Sequence, residues 1–264
     1  VIYTTDDVLR MLDGLLQDGG GAWWDGFFGD RGDRGDRGDR GDRGDRGEPC
    51  PFLVDWPDEN LVAWFGEGLL SPGRVLELGC GPGRNAAYLA GQGCSVDGLD
   101  FSAWAIERAR ERAMPAGAAV TFQCCSIFEA TIPEESYDLV YDSGCFHHIA
   151  PHRREDYVEL VRHALKPGGR YGLVCFRPEG GSGYTDQQVY ERASLGGGLG
   201  YSQDQLRALC DRAACSVRVL RQMHKADGQA RCFGEDFLWV LLADKQPAQP
   251  RASNVATGHC AVCG

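Results

Sequence analysis

Val75-Leu76-Glu77-Leu78-Gly79-Cys80-Gly81-Pro82-Gly83-Arg84-Asn85 is the stretch whose reading decides the fold. An apolar run with one acid meets a turn of alternating glycines. An alanine-rich helical pattern follows at Ala86, Ala87, Leu89 and Ala90. The pattern predicts strand, tight loop and helix. Glycines suit a backbone that turns sharply or lies close to a ligand. The stretch therefore reads as a cofactor cradle.

Two features narrow the cofactor. Dinucleotide cradles use G-x-G-x-x-G, whose third glycine packs helix on strand. Here the glycines stand at 79, 81 and 83, and Arg84 occupies the third-glycine position. A second predicted strand, Ser95–Asp100, ends in an acid about twenty residues on, the spacing at which such folds bind ribose hydroxyls. A plain glycine turn in a βαβ unit would explain the loop but not the acid.

The chain has 264 residues and a net charge of −11. That length suits one α/β domain with additions and a sizeable core. The acidic balance excludes the basic face that a nucleic-acid partner requires. No run of eighteen apolar residues occurs, so no membrane span is expected. Residues 1–7 lack the basic start and apolar middle of a signal peptide, and a cytoplasmic location is expected. Most of the twelve cysteines lie in or beside predicted elements and read as reduced, small hydrophobes. The tail pair Cys260 and Cys263, beside His259, is too few ligands for a closed zinc site; no metal is expected.

Outward from the motif, helical spacing covers residues 6–17, and Trp23, Trp24, Phe27 and Phe28 follow. Residues 1–28 are expected to be a helical, aromatic segment serving as core or lid. Residues 29–48 carry a Gly-Asp-Arg repeat with Arg-Gly-Asp five times from Arg31. With no apolar residue in the repeat, this segment is expected to be a loosely ordered loop. Pro57-Asp58-Glu59 opens a helix with an apolar face of Leu61, Val62, Phe65 and Leu69, and Pro72-Gly73 closes the turn. Ser102 is positioned to cap a helix over Ala105–Ala113. Strands are expected at Val120–Phe122, Tyr137–Asp142 and Tyr171–Phe176, with a helix at 157–165 stopped by Lys166-Pro167-Gly168-Gly169. Glycines between 180 and 200 suggest a mobile region. Ser202 and Gln205 form a capping box. Val217–Leu220 and Phe237–Leu242 read as an antiparallel hairpin at the sheet edge. The main domain spans 49–243, and 244–264 reads as a disordered tail. The expected fold is α/β: a Rossmann-like, mostly parallel seven-stranded sheet with an antiparallel C-terminal edge hairpin and helices on both faces.

Glu77–Asn85, Gly98–Ser102, Tyr137–Gly144 and Leu165–Gly169 together resemble the motifs of class I S-adenosylmethionine (SAM) methyltransferases. Gly83-Arg84-Asn85 and Asp142-Ser143-Gly144 are similar to the tellurite-resistance and thiopurine group. The resemblance implies SAM as cofactor and S-adenosylhomocysteine (SAH) as product. It implies cofactor contacts from Glu77, Gly79, Cys80, Gly81, Gly83 and Asn85 at the methionine end, and from Asp142. It implies Asp100 on the ribose, Phe101 on the adenine and Ser102 beside them. Ser126 stands where relatives carry an adenine-binding Asp, with Ile127 and Phe128 next to it. In this group an N-terminal segment bearing a tryptophan covers the site, which points to Trp24.

Loops beyond strand ends carry function in such sheets, so His147 and His148 are the expected general base. They are neighbours, so only one is expected to face the methyl. Arg177, Tyr184, His224 and Cys232 are further expected around the acceptor. The expected reaction is methyl transfer to a small molecule by in-line displacement. A thiol or chalcogen is slightly favoured over oxygen or nitrogen, in a monomer or homodimer. The alternatives are a nicotinamide oxidoreductase with an atypical loop and a non-catalytic Arg-Gly-Asp binding protein.

Overall fold

The computed structural model describes residues 2–17, 20–36, 53–113, 119–227 and 230–247. Seven strands run β1 Arg74–Leu78, β2 Ser95–Asp100, β3 Val120–Cys124, β4 Tyr137–Ser143, β5 Leu165–Phe176, β6 Cys215–Gln222 and β7 Leu238–Lys245. They form one sheet ordered β3-β2-β1-β4-β5-β7-β6. The pairs from β3 through β5 are parallel. β7 runs antiparallel to both β5 and β6, which is the expected edge hairpin. Strand order reverses between β1 and β4, where a crevice opens at the C-terminal strand ends.

Helices α3 Glu59–Gly66, α4 Arg84–Gly91 and α5 Ala103–Ala113 cover one face. Helices α6 Arg154–Ala164, α7 Asp186–Arg192 and α8 Gln203–Arg212 cover the other. β1 is buried on both faces, as a central parallel strand must be. Val75 joins the core under α3–α5, while Leu76 and Leu78 join the core under α6–α8. Alternation puts Glu77 on the α3–α5 side. Ser202 caps α8 through the Gln205 N–H as its spacing demanded.

Several expectations are corrected. Helix α1, Thr5–Asp13, ends at Gly14, whose N–H bonds back to Arg10, so Leu15 and Leu16 lie beyond it. Helix α2, Gly21–Asp36, runs into the repeat, so 29–36 is helix rather than loop. Its aromatic turns dock on α5, with Phe28 stacked on Trp104 at 5.9 Å. Docking supplies the costly nucleus, and elongation then proceeds residue by residue. The rest of the repeat lies outside the described residues, as do Cys260 and Cys263. In α3 the buried positions are Asn60, Leu61 and Trp64, and Val62 is exposed. Lys166–Gly169 stops α6 but belongs to β5. Asp244 and Lys245 finish β7 rather than opening a tail, because the Lys245 ammonium is held by the carbonyls of Arg162 and Leu165 at 2.8 and 2.5 Å.

The stretch 180–200 is packed rather than slack. It contains α7, capped by Thr185 and Gln188, and buries Leu195 and Leu199. At Gly198 (φ +124°) a Cβ would lie 2.7 Å from the Phe176 ring and 3.0 Å from the His147 ring. A glycine here marks close approach, not freedom.

Candidate active site

A cavity of about 970 Å³ opens at the crevice between β1 and β4. Its polar end is built by β1, the glycine loop and the start of α4. Glu77, at 2 % exposure, lines this end, and its Oε2 atom has no hydrogen-bond partner. Burial pushes its carboxyl up to about 8, partly offset by the Arg84 guanidinium. Asp100 accepts from the Gly81 N–H and the Ser102 N–H, each at 2.9 Å. Burial raises its pKa above the usual carboxylate range, against these two bonds.

Behind this end lies a network the sequence did not reveal. Asp58, just before α3, is fully buried. Its carboxylate pairs with Arg84 at 2.6 Å and accepts from the Tyr141 hydroxyl at 2.6 Å and the Asn85 amide at 3.0 Å. Arg84 also donates to the Trp56 carbonyl and the Ser143 hydroxyl, at 3.1 and 3.3 Å, and lies over the Phe233 ring. Arginine rather than glycine at position 84 is thus an ion-pair anchor. Close helix packing falls to Gly83 instead (φ +77°), where a Cβ would lie 2.9 Å from Ala109 of α5.

The opposite end is aromatic. Trp23, Trp24, Phe27 and Phe28 of α2 form its roof, and His147, His148 and Phe176 its wall. The roof is tied down by Asp25, which accepts from the Ser102 hydroxyl at 2.6 Å and the Trp104 N–H at 3.1 Å. Farther back, Asp13 at the end of α1 accepts from Arg153 and meets the His152 ring at 2.8 Å. His147 stacks flat on Phe176, with centroids 3.7 Å apart, and its Nδ1 accepts the Phe176 N–H at 3.3 Å. That bond assigns the ring proton to Nε2, so His147 has no lone pair left to act as a base. Burial, with His148 adding repulsion, holds its pKa well below the usual value. His148 meets the Trp24 ring edge to face at 4.6 Å.

Glu77, Gly79, Cys80, Gly81, Asn85, Asp100, Phe101, Trp24, His147 and His148 therefore come together on one cavity. Six expected positions do not line it, and each has a physical reason. Gly83 packs on α5, as above. Ser102 is buried, capping α5 through the Ala105 N–H. Asp142 points to the α6 face, because strand alternation sets it opposite Tyr141. There it accepts from the Tyr157 hydroxyl at 2.7 Å and the Cys145 N–H at 2.8 Å, and burial raises its pKa to about 7. Ile127 packs in the α6-side core, Phe128 lies under Arg153, and the Ser126 hydroxyl accepts from the Phe128 N–H. Arg177, Tyr184, His224 and Cys232 also lie off the cavity. Arg177 is drawn away by the Asp236 carbonyl and His224 by Glu59. Cys145 does line it, but burial pushes its thiol well above the usual range, so it stays protonated. Sequence reasoning passed over Phe176, Phe233 and Leu238, which reach the cavity from β5, the segment before β7, and β7.

A family described as a methyltransferase domain matches residues 75–169. An uncharacterized methyltransferase of Schizosaccharomyces pombe is 33% identical over 122 residues, covering 46% of this chain and 84% of that protein. The chain belongs to the class I SAM-dependent methyltransferases. The 2-heptyl-1-hydroxyquinolin-4(1H)-one methyltransferase of Mycobacteroides abscessus is 31% identical to this methyltransferase over 127 residues, 48% of this chain and 56% of that one. A Burkholderia thailandensis 1,6-didemethyltoxoflavin-N1-methyltransferase, solved with its substrate and SAH, shares the fold at TM-score 0.55 and 22% identity. The match covers 71% of this chain and 77% of that chain. SAM is the cofactor. The nicotinamide and Arg-Gly-Asp alternatives find no support. Among the described residues no helix is long and apolar enough to cross a membrane.

Proposed function

We propose that the polar end of the cavity holds SAM and that the aromatic end presents a small-molecule acceptor to its methyl. The observation that carries this reading is the buried, unpartnered Oε2 of Glu77 beside the glycine loop. An orphaned, buried carboxylate oxygen calls for a donor, and a cationic amine of the methionine moiety would supply one. Arg84, held by Asp58, stands where a carboxylate would be met. Asp100 keeps lone pairs for ribose hydroxyls, and Phe101 offers a flat face to adenine.

When bound, SAM supplies an electrophilic methyl on a sulfonium. The chain's own residues align the acceptor and exclude water. His148 lines the cavity against Trp24 and is the imidazole we assign to take the acceptor's proton. Residues 1–28 act as the lid, 49–243 as the catalytic domain. The Gly-Arg-Asn and Asp-Ser-Gly resemblances favour the tellurite-resistance and thiopurine-like group and a sulfur nucleophile, with oxygen or nitrogen next.

The test is calorimetric titration with SAH across pH. Below pH 8 the Glu77 carboxyl carries a proton, and a bound cation must expel it. Affinity should therefore rise from pH 6 to 8, by up to about tenfold per pH unit. Glu77→Gln should remove that dependence. A flat profile in the wild-type protein would sink the assignment of Glu77.

A further inference from the structure

Two buried carboxylates share one guanidinium at the polar end. Asp58 stands just before α3 and Glu77 near the end of β1, and both are buried. Arg84, at the start of α4, is the cation that acts on each. A buried carboxylate needs donors or a counter-ion. The chain supplies them to Asp58 and withholds them from Glu77.

Each donor on Asp58 is itself set by a further bond. Asn60 donates its amide to the Tyr141 oxygen at 3.0 Å, which leaves the tyrosine proton for Asp58 Oδ2 at 2.6 Å. The Asn85 side-chain carbonyl accepts the Asp58 N–H at 2.9 Å, and this turns the Asn85 amide onto the same Oδ2 at 3.0 Å. Asp58 Oδ1 meets Arg84 at 2.6 Å as an ion pair. The guanidinium spends its other bonds on the Trp56 carbonyl and the Ser143 hydroxyl. Glu77 Oε2 receives no hydrogen bond. The other polar groups around Glu77 do not replace one. Asp100 of β2 repels it, and the Asn85 amide is shared with Asp58. Tyr141 of β4 is committed to Asp58, and burial keeps the Cys80 thiol of the glycine loop protonated.

We propose that Asp58 is a positioning residue for cofactor binding, which holds Arg84 back from Glu77 so that Glu77 keeps an oxygen open for the amine of the methionine moiety. This rests on the assignment of the polar end to SAM made above. With the charge of Asp58 removed, Glu77 is the buried carboxylate left to the guanidinium. The resulting internal ion pair would occupy the oxygen that the ligand's amine needs.

The experiment is calorimetric titration of the full protein with SAH at pH 6, 7 and 8. In the wild-type protein affinity rises with pH by up to about tenfold per unit, because Glu77 must shed a proton. Asp58→Asn keeps acceptors for Tyr141 and Asn85 and removes the charge. Glu77 should then stay ionised against Arg84, so affinity should vary by less than about twofold from pH 6 to 8. At pH 8 it should be weaker than wild type by about threefold or more, since the amine must displace the guanidinium. Tyr141→Phe takes one donor from Asp58 and no charge, and its slope should fall between the two. A merely structural Asp58 would lower affinity by the same factor at every pH. The wild-type slope in Asp58→Asn, or in Tyr141→Phe where Asp58→Asn does not fold, overturns the proposal while the SAM assignment stands. A flat profile in the wild-type protein overturns the Glu77 assignment, and the proposal falls with it.

Discussion

The two ends of the cavity are held by opposite means. The polar end is a lattice of buried donors and acceptors, in which Asp58, Arg84, Asn85 and Tyr141 each fix another across 26 to 83 residues of sequence. The aromatic roof rides on one helix. It touches the domain through ring contacts and through Asp25 on the start of α5. Directional bonds in a water-poor setting hold a geometry and are costly to break. Ring contacts tolerate displacement. The contrast accords with the proposed placement of the cofactor at the first end and the acceptor at the second.

The largest effect should come from the wall of the aromatic end. His148→Ala is expected to lower turnover about 10²–10⁴-fold, the usual worth of a general base, while SAH affinity measured by calorimetry holds. His147→Ala should act instead through the Phe176 wall, raising KM. If His148→Ala retains full turnover, alignment alone carries the reaction and the contrast loses its catalytic half.

Next comes the lattice itself. Asp58→Ala leaves the Arg84 guanidinium without its buried partner, so it should cost about 3–5 kcal/mol of stability, read as the midpoint of urea unfolding. A change below 1 kcal/mol would show that the polar end is no more rigid than the roof. Asp100→Ala removes an acceptor from the cradle together with the partner of the Gly81 and Ser102 N–H groups. SAH affinity, measured by calorimetry on protein shown to be folded, should fall by about 1.5–3 kcal/mol. The smallest effect belongs to the roof: Ser102→Ala removes both the α5 cap and the Asp25 contact and should cost about 1 kcal/mol. A cost as large as that of Asp58→Ala would erase the distinction between the two ends.

Much of this was legible from local pattern. The strand–glycine–helix unit, the acid at Asp100, the Ser202/Gln205 capping box and the edge hairpin all rest on period, turn chemistry or short spacing. The misses share a cause. Asp58 reads as an ordinary residue before a helix, and only the approach of Asn85 and Tyr141 gives it a role. The repeat reads as loop because its composition buries nothing, yet α2 carries helix as far as Asp36. Asp142 looks like a site acid from its motif, and strand alternation turns it to the other face.

The sequence by itself determined the fold class, the position of the glycine loop and the acids that accompany it. Those depend on contacts within about twenty residues, which a linear pattern records. Only the tertiary structure decided that the His147 ring is committed, which carboxylate oxygen is left unpartnered, and what roofs the aromatic end. Each is a property of burial and of long-range partners: Glu77 is raised by desolvation, His147 by its place against Phe176 is committed, and α2 reaches the cavity through α5. Burial and distant pairing set the chemistry of such groups, and neither is written in local spacing.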